Sequence, residues 1–260
     1  MPGPASVLAL DAGSPTVSVA LVRDGEGGGN GPSLAERSIE IGRSSRRLLG
    51  MIDEVLAEAG LRPGELGGLV ALAGPGSFTG LRIGLATVLG LHQATGVPAV
   101  AVPTLEVLAL AGSQTPSPDG DPPRRVVAAV DVLRGEWAAQ EYRPAEGGGP
   151  PVATGAAERV PAGELAARLA GDTPVRAIGF GIEGLAVAFH RGGASPGQDG
   201  DRSPPGLSLP PGLELAEPPP LAAVAARRAV SGPWHPWDAG TLTAPIYFRP
   251  PAATLPRPRR

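Results

Sequence analysis

Apolar and polar positions along the chain change period several times, and each change marks an element. Ser6–Asp11 is a short apolar run that predicts a buried strand. Gly13-Ser14-Pro15 reads as a turn, and Thr16–Arg23, with Val17, Val19 and Leu21 at alternate positions, predicts a second strand that closes a hairpin. A glycine-rich loop over residues 25–31 leads to a third strand near residues 33–41. Over residues 44–59 the apolar positions Leu48, Leu49, Ile52, Val55, Leu56 and Ala59 recur at helical spacing, and Gly60 supplies the stop. A strand at 69–73, a turn at Gly74-Pro75-Gly76 and a helix over 79–95 ended by Gly96 and Pro98 come next. A strand at Ala99–Val102 and a helix over 104–111 complete a first half, residues 1–114.

The Pro and Gly cluster at 115–123 marks a boundary, after which the opening pattern returns in a second half, residues 124–260. Val7-Leu8-Ala9-Leu10-Asp11, a turn, and Val17-Ser18-Val19-Ala20-Leu21 are echoed by Val127-Ala128-Ala129-Val130-Asp131, a turn at Gly135, and Trp137-Ala138-Ala139-Gln140. Strand, terminal aspartate, tight turn and strand appear twice, which predicts two related α/β lobes. The second half continues with a strand after Pro151, a helix over 161–170, a strand at Val175–Phe180 and a helix at Leu221–Val230. Between the last two lies residues 192–220, where 14 of 29 residues are Gly or Pro; that density predicts a mobile or extended insertion. The basic tail carries Arg257, Arg259 and Arg260, for which a solvated tail is preferred over a contact with RNA phosphates.

Composition narrows the chemistry. The chain has 260 residues of which 42% are apolar, enough for one large domain or two small ones. All 22 basic residues are arginine, so no Schiff base, phosphate-loop lysine or lysine general base exists. The lack of cysteine removes thiol nucleophiles, disulfides and thiolate metal sites. His92, His190 and His235 form no paired spacing for a metal, and no metal or cofactor is expected. A net charge of -3 gives no overall basic field for nucleic acid. The first residues carry no basic leader and no run reaches the ~18 apolar residues of a membrane span, so a cytoplasmic protein without membrane contact is expected. One Gly-x-Ser-x-Gly match, Gly193 to Gly197, lacks the strand before and helix after that a nucleophile elbow needs, and reads as chance.

Three groups of residues are candidates for function. The run Gly74-Pro75-Gly76-Ser77-Phe78-Thr79-Gly80 joins a strand to a helix and could aim backbone N–H groups at an anion, but it lacks the Gly-Lys-Ser/Thr ending. A tight turn with Ser77 or Thr79 as helix cap is the preferred reading. Asp11-Ala12-Gly13-Ser14 resembles the first phosphate hairpin of the actin and sugar kinase superfamily, with Asp131 as its repeat; turn-forming aspartates are the alternative, and no motif chooses between them. The helix over 79–95 is apolar on nearly every side, so either its own lobe buries it or another protein covers part of it. On the second reading the partner face comprises Arg46, Leu49 and Met51 of the preceding helix with Gly80, Gly84, Leu85 and Val88, the two glycines lying four apart to admit a close neighbour.

The run Leu69-Val-Ala-Leu-Ala-Gly-Pro-Gly-Ser-Phe-Thr-Gly-Leu-Arg-Ile-Gly-Leu-Ala-Thr, with Gly96-Val-Pro, Pro103-Thr-Leu-Glu, Asp131-Val-Leu-Arg-Gly-Glu136 and Pro245-Ile-Tyr-Phe-Arg249, resembles the bacterial TsaB family, also called YeaZ. The resemblance spans nearly the whole chain, strongest over residues 48–109. It implies a two-lobed α/β fold of the actin (ASKHA) type and a part in making N6-threonylcarbamoyladenosine at position 37 of tRNAs that read codons beginning with A. It further implies a non-catalytic subunit that pairs with a TsaD transferase through its first two helices, joined by the ATPase TsaE, with tRNA met only through the complex. Self-pairing of the isolated chain stays open. Ser44 stands where many members have histidine, and Gly50 where proline is usual. The rival expectation is an autonomous nucleotide-dependent enzyme built around Asp11 and Asp131.

Overall fold

A computed structural model describes residues 5–23, 33–40, 47–115, 123–145, 149–170, 173–193, 209–232 and 234–248. Arg46, Ser44, the 25–31 loop, residues 194–208 and the tail arginines Arg257, Arg259 and Arg260 lie outside the described residues.

The first lobe is a five-stranded sheet. β1 (Ser6–Asp11), β2 (Thr16–Arg23) and β3 (Ser33–Glu40) run antiparallel, and β4 (Gly68–Leu72) and β5 (Ala99–Val102) add in parallel on the other side of β1, in the order β3-β2-β1-β4-β5. α1 (Leu48–Ala59) joins β3 to β4, α2 (Phe78–Thr95) joins β4 to β5, and α3 (Thr104–Gln114) follows β5. The second lobe comprises β6 (Val126–Asp131), β7 (Glu136–Arg143), β8 (Val152–Ala153), β9 (Glu158–Pro161), α4 (Ala162–Leu169), β10 (Val175–Phe180), α5 (Glu183–Gly193), β11 (Leu213–Ala216) and α6 (Leu221–Val230). Its sheet runs β11-β10-β6-β7-β8, with β9 also on β7, and again an antiparallel hairpin is extended by two parallel strands. The second lobe therefore repeats the first: β6 and β7 for β1 and β2, β8 with β9 for β3, and α4-β10-α5-β11-α6 for α1-β4-α2-β5-α3. This is a two-lobed, actin-like α/β fold with duplicated lobes.

Strand periodicity sorts the core into layers. In β1, Val7 and Ala9 face a central core shared with α3 and α6, while Leu8 and Leu10 face an outer core with α1 and α2. In β6, Val126, Ala128 and Val130 join the same central core, and Val127 and Ala129 face the outer core beneath α4 and α5. The central strands β1, β2, β4, β6 and β10 are buried on both faces, which explains their continuous apolar runs.

Two elements differ from the sequence-based expectation. β11 lies inside the segment read as an extended insertion, yet pairs in parallel with β10 from Val175↔Leu213 to Ile178↔Ala216. Leu213 and Leu215 carry the apolar alternation, but over four residues between prolines it is too short to outweigh Gly and Pro density. α5 was hidden likewise, since Gly184, Gly192 and Gly193 break its pattern. The chain also does not divide its packing at the 115–123 boundary. α6 lies against β1 and β2, where Ala222 N donates to Ser18 Oγ at 3.2 Å. Residues 234–248 then run back over the first lobe: Trp237 covers Gly68, Thr241 Oγ1 accepts from Ala101 N at 2.8 Å, and Ile246 N donates to Ala73 O at 2.7 Å. At the start of this strap Glu106 accepts from Trp234 Nε1 and lies 3.1 Å from His235 Nε2. Burial raises the Glu106 carboxyl, but His235, Trp234 and the Arg228 charge outweigh it and hold it below its usual value.

Arg176 ties the lobes together. Its side chain is 0% exposed, its Nη1 donates to Gly112 O and Thr115 O at the end of α3, and its Nη2 meets Glu214 Oε2 at 2.8 Å. Helix carbonyls at a C-terminus carry partial negative charge, so the guanidinium satisfies them electrostatically as well as by hydrogen bonds. Arg176→Ala leaves those carbonyls and a cavity behind, and is expected to cost about 2–4 kcal/mol, lowering the thermal midpoint by several degrees. A midpoint unchanged in calorimetry would contradict this role.

Candidate functional site

The Gly74–Gly80 run is the crossing point of four chain segments. Ala73 N donates to Val102 O at 2.7 Å, Thr104 N to Gly74 O at 2.8 Å, and Ser77 N to Gly13 O at 2.7 Å, while Ile246 of the strap bonds Ala73. Gly74 has φ +108°, a value that L side chains rarely adopt, and the strap backbone lies where its Cβ would be. Ser77 is the N-cap of α2, its Oγ accepting from Gly80 N at 3.3 Å, and Leu81 N bonds Ser77 O. The amides of Ser77, Gly80 and Leu81 are thus committed to the protein itself, as in a turn with a helix cap. Thr79 is exposed and does not cap.

Past the cap, α2 lies directly on the turn between β1 and β2. A Cβ on Gly80 would overlap the Ala12 carbonyl oxygen, one on Gly76 would sit 2.6 Å from Gly13 O, and one on Gly84 3.2 Å from Ala12 Cβ. Leu81 closes over Gly13 from the other side. Asp11 is consequently 1% exposed. Its Oδ1 accepts from Gly13 N at 3.0 Å and Ser14 N at 3.1 Å, whereas Oδ2 and the neighbouring Ser14 Oγ are buried without a hydrogen bond in good geometry. Burial pushes the Asp11 carboxyl up to about 6, against the opposing pull of the Ser14 hydroxyl and the Ser14 and Gly13 amides.

The second hairpin is open. Asp131 is exposed, and its Oδ1 accepts from Leu133 N at 2.6 Å. Its turn holds Leu133 at φ 71° and Arg134 at φ 61°, both in the left-handed region, and the Leu133 side chain is 65% exposed. Beside it, between α4 and α5, lies a cleft of about 690 Å³ with Asp131 at its rim and Trp137 in its wall. Sequence reasoning paired the two aspartates correctly as hairpin ends but missed the cleft; its one signal is the small residues Ala162, Ala166 and Ala170, four apart along α4 and its C-cap.

The residues singled out as a partner face divide sharply. Leu49 is 62% exposed, but Met51, Gly84, Leu85 and Val88 are buried in the first lobe, and Gly80 rests on Ala12. The close neighbour that Gly80 and Gly84 admit is the protein's own hairpin. Solvent-facing α2 positions include instead Arg82, Ala86 and Gly90. At the start of α2 the Arg82 guanidinium lies 4.1 Å over the Phe78 ring, which packs on Tyr247 with centroids 4.9 Å apart, so two of the quoted motifs meet in space. Among the described residues no group of three or more His, Asp or Glu side chains is placed to hold a metal ion.

Two predictions follow from the sealed hairpin. Gly84→Leu overpacks the Ala12 contact and is expected to destabilise the isolated protein by about 1–3 kcal/mol, whereas Gly90→Ala, with nothing within 4 Å of the new methyl, is expected to stabilise it by about 0.5–1 kcal/mol. Opposite signs in denaturant titration check the assignment of α2's two faces. For Asp11, the folded protein holds the proton more tightly than the unfolded chain, because about 6 lies above the ordinary 3.8. Stability is therefore full below about pH 4 and falls by about 3 kcal/mol in all as pH rises through about 6. Asp11→Asn keeps an acceptor for Gly13 and Ser14 and removes the charge, so its thermal midpoint should gain on the natural protein between about pH 4 and 7. A constant difference across that range would show that the carboxyl titrates normally.

Against known proteins, the family model described as TsaD, tRNA N6-adenosine threonylcarbamoyltransferase, matches residues 23–155, just over half of the chain. The tRNA threonylcarbamoyladenosine biosynthesis protein TsaB of Haemophilus influenzae is 34% identical over 131 residues, 50% of this chain and 51% of that protein. TsaB of Escherichia coli is 32% identical over 142 residues, 55% of this chain and 57% of that protein. The chain thus spans about half the length of the curated relatives it matches. In three dimensions it superposes on a Pseudomonas aeruginosa protein described as similar to the peptidase YeaZ, with a TM-score of 0.68 and 24% identity, covering 94% of this chain and 100% of that one. That likeness establishes the fold alone. With the family model extending over the first lobe's α1, α2 and α3 and into the second hairpin, the chain belongs to the threonylcarbamoyltransferase-type family, as a member of its TsaB (YeaZ) group.

Proposed function

We propose that the chain serves tRNA threonylcarbamoyladenosine biosynthesis as a non-catalytic subunit that holds a TsaD-like transferase in a competent state, with a TsaE-like ATPase joining the pair and tRNA met only through the assembly. The observation that supports this reading best is the sealing of the first hairpin. A kinase-type site needs the hairpin amides and the aspartate open to a nucleotide, and here Gly76, Gly80 and Leu81 occupy that approach while Asp11 is buried. The names of the TsaB relatives supply the pathway. No helix among the described residues is long and apolar enough to cross a membrane.

Binding then falls to side chains that α1 and α2 present outward, Leu49, Arg82 and Ala86, and not to the buried glycine face. The rival reading, an autonomous nucleotide-dependent enzyme, would have to displace α2 from the turn before Asp11 could meet a ligand. Purified alone, the protein is expected to show no appreciable ATP hydrolysis, and a reconstituted TsaD-like transferase should lose modified tRNA when this chain is omitted. Leu49→Arg and Ala86→Arg should each weaken binding to the transferase subunit by about tenfold or more, equivalent to about 1.4 kcal/mol, at an unchanged thermal midpoint. Robust turnover by the chain alone would overturn the proposal, as would full tRNA modification without it.

A further inference from the structure

The duplication gives each lobe a hairpin ending in aspartate, with a helix after the adjoining parallel strand, yet the two lobes treat that place differently. In the first, α2 closes onto the turn through its glycines. In the second, the corresponding helix α5 packs on α4, and beside the hairpin the two leave the cleft of about 690 Å³, a volume within the range of small-molecule sites. Its walls are apolar: Trp137 is 3% exposed at the base, Ala166 and Ala167 form the α4 side, and Val187 and Phe189 the α5 side. Val187 is 48% exposed, an aliphatic side chain facing water across an unfilled space. Asp131 is the one ionisable side chain among the described lining residues, and its Oδ2 accepts no hydrogen bond among the described residues.

We propose that this cleft is a binding site for a small organic cation, an ammonium group carried on an apolar, aryl-sized body. The walls take the apolar body, because among the described lining residues they offer alanine, valine and aromatic area with the Trp137 indole N–H as their one side-chain donor, and the rim carboxylate takes the ammonium. An anionic ligand meets the opposite situation, a negative rim with no arginine among the described lining residues to offset it, so the site favours the cation over a nucleotide or other phosphate. The inference goes beyond the assembly role and does not rest on it.

The test uses the full chain and three probes that share a phenylethyl body: phenethylamine, 2-phenylethanol and 3-phenylpropionate. Titration followed by Trp137-sensitive fluorescence and ligand-observed NMR should give saturable binding in the order amine, alcohol, acid, with the amine ahead of the alcohol by about three- to five-fold, the scale of one exposed ion pair. Asp131→Asn, which keeps the Oδ1 acceptor for Leu133, should erase the advantage of the amine and leave the alcohol unchanged. Ala167→Leu fills the cleft from its exposed edge and should weaken all three by tenfold or more at an unchanged thermal midpoint; Ala170→Leu, also exposed, serves if that variant is poorly folded. No saturable binding, equal binding of amine and acid, or binding indifferent to both filling variants would overturn the proposal.

Discussion

The contact on which the first lobe depends is the seat of α2 on the turn between β1 and β2. It is a backbone-to-backbone approach, made possible because positions 76 and 80 have no side chain where Ala12 and Gly13 turn. Once α2 is seated there, Ser77 can bond Gly13, Leu81 can cover it, and Ala73 and Gly74 are positioned to pair with β5, α3 and the strap. The same seat buries Asp11, whose Oδ1 accepts from the amides of Gly13 and Ser14. One steric fact therefore sets both the architecture of the lobe and the burial of its aspartate.

The duplicated second lobe shows what the fold does without that seat. Trp137 stands where the helix would otherwise approach, with its ring 3.6 Å from the position a Cβ on Gly184 would take, and α5 leaves room beside it. The aspartate at the end of β6 keeps contact with water, while its counterpart at the end of β1 has none. Two copies of one pattern thus reach opposite electrostatic outcomes through a difference in how closely one helix approaches one turn.

Much of this was legible in the sequence because strand periodicity is a local signal. The β1–β2 and β6–β7 hairpins, α1, α2, α4 and α6 announce themselves by period and punctuation, and their pairing revealed the duplication. β11 and α5 were not legible, since four residues among prolines and a glycine-broken helix carry too few positions to set a period. The direction of Gly80 and Gly84 was also beyond the reach of spacing. Helical geometry places both on one face of α2, but whether that face meets a partner or the protein's own turn is a tertiary fact, decided by where β1 delivers Ala12. The apolar surplus of α2 had the same two readings, and the described structure buries Leu81, Leu85 and Val88 within the lobe.

The strap over residues 234–248 has a consequence for how the molecule comes into being. β5 is the edge strand on the parallel side of the first sheet, and the hydroxyl that satisfies its Ala101 amide belongs to Thr241; the oxygen of Ala73, next to the motif turn, waits for the amide of Ile246. Both partners leave the ribosome only after the entire second lobe has been made. During synthesis the first lobe therefore exists for a time with an open sheet edge and an unfinished motif turn, a state in which unpaired backbone invites association with other chains. The order of translation makes the second lobe a precondition for completing the first.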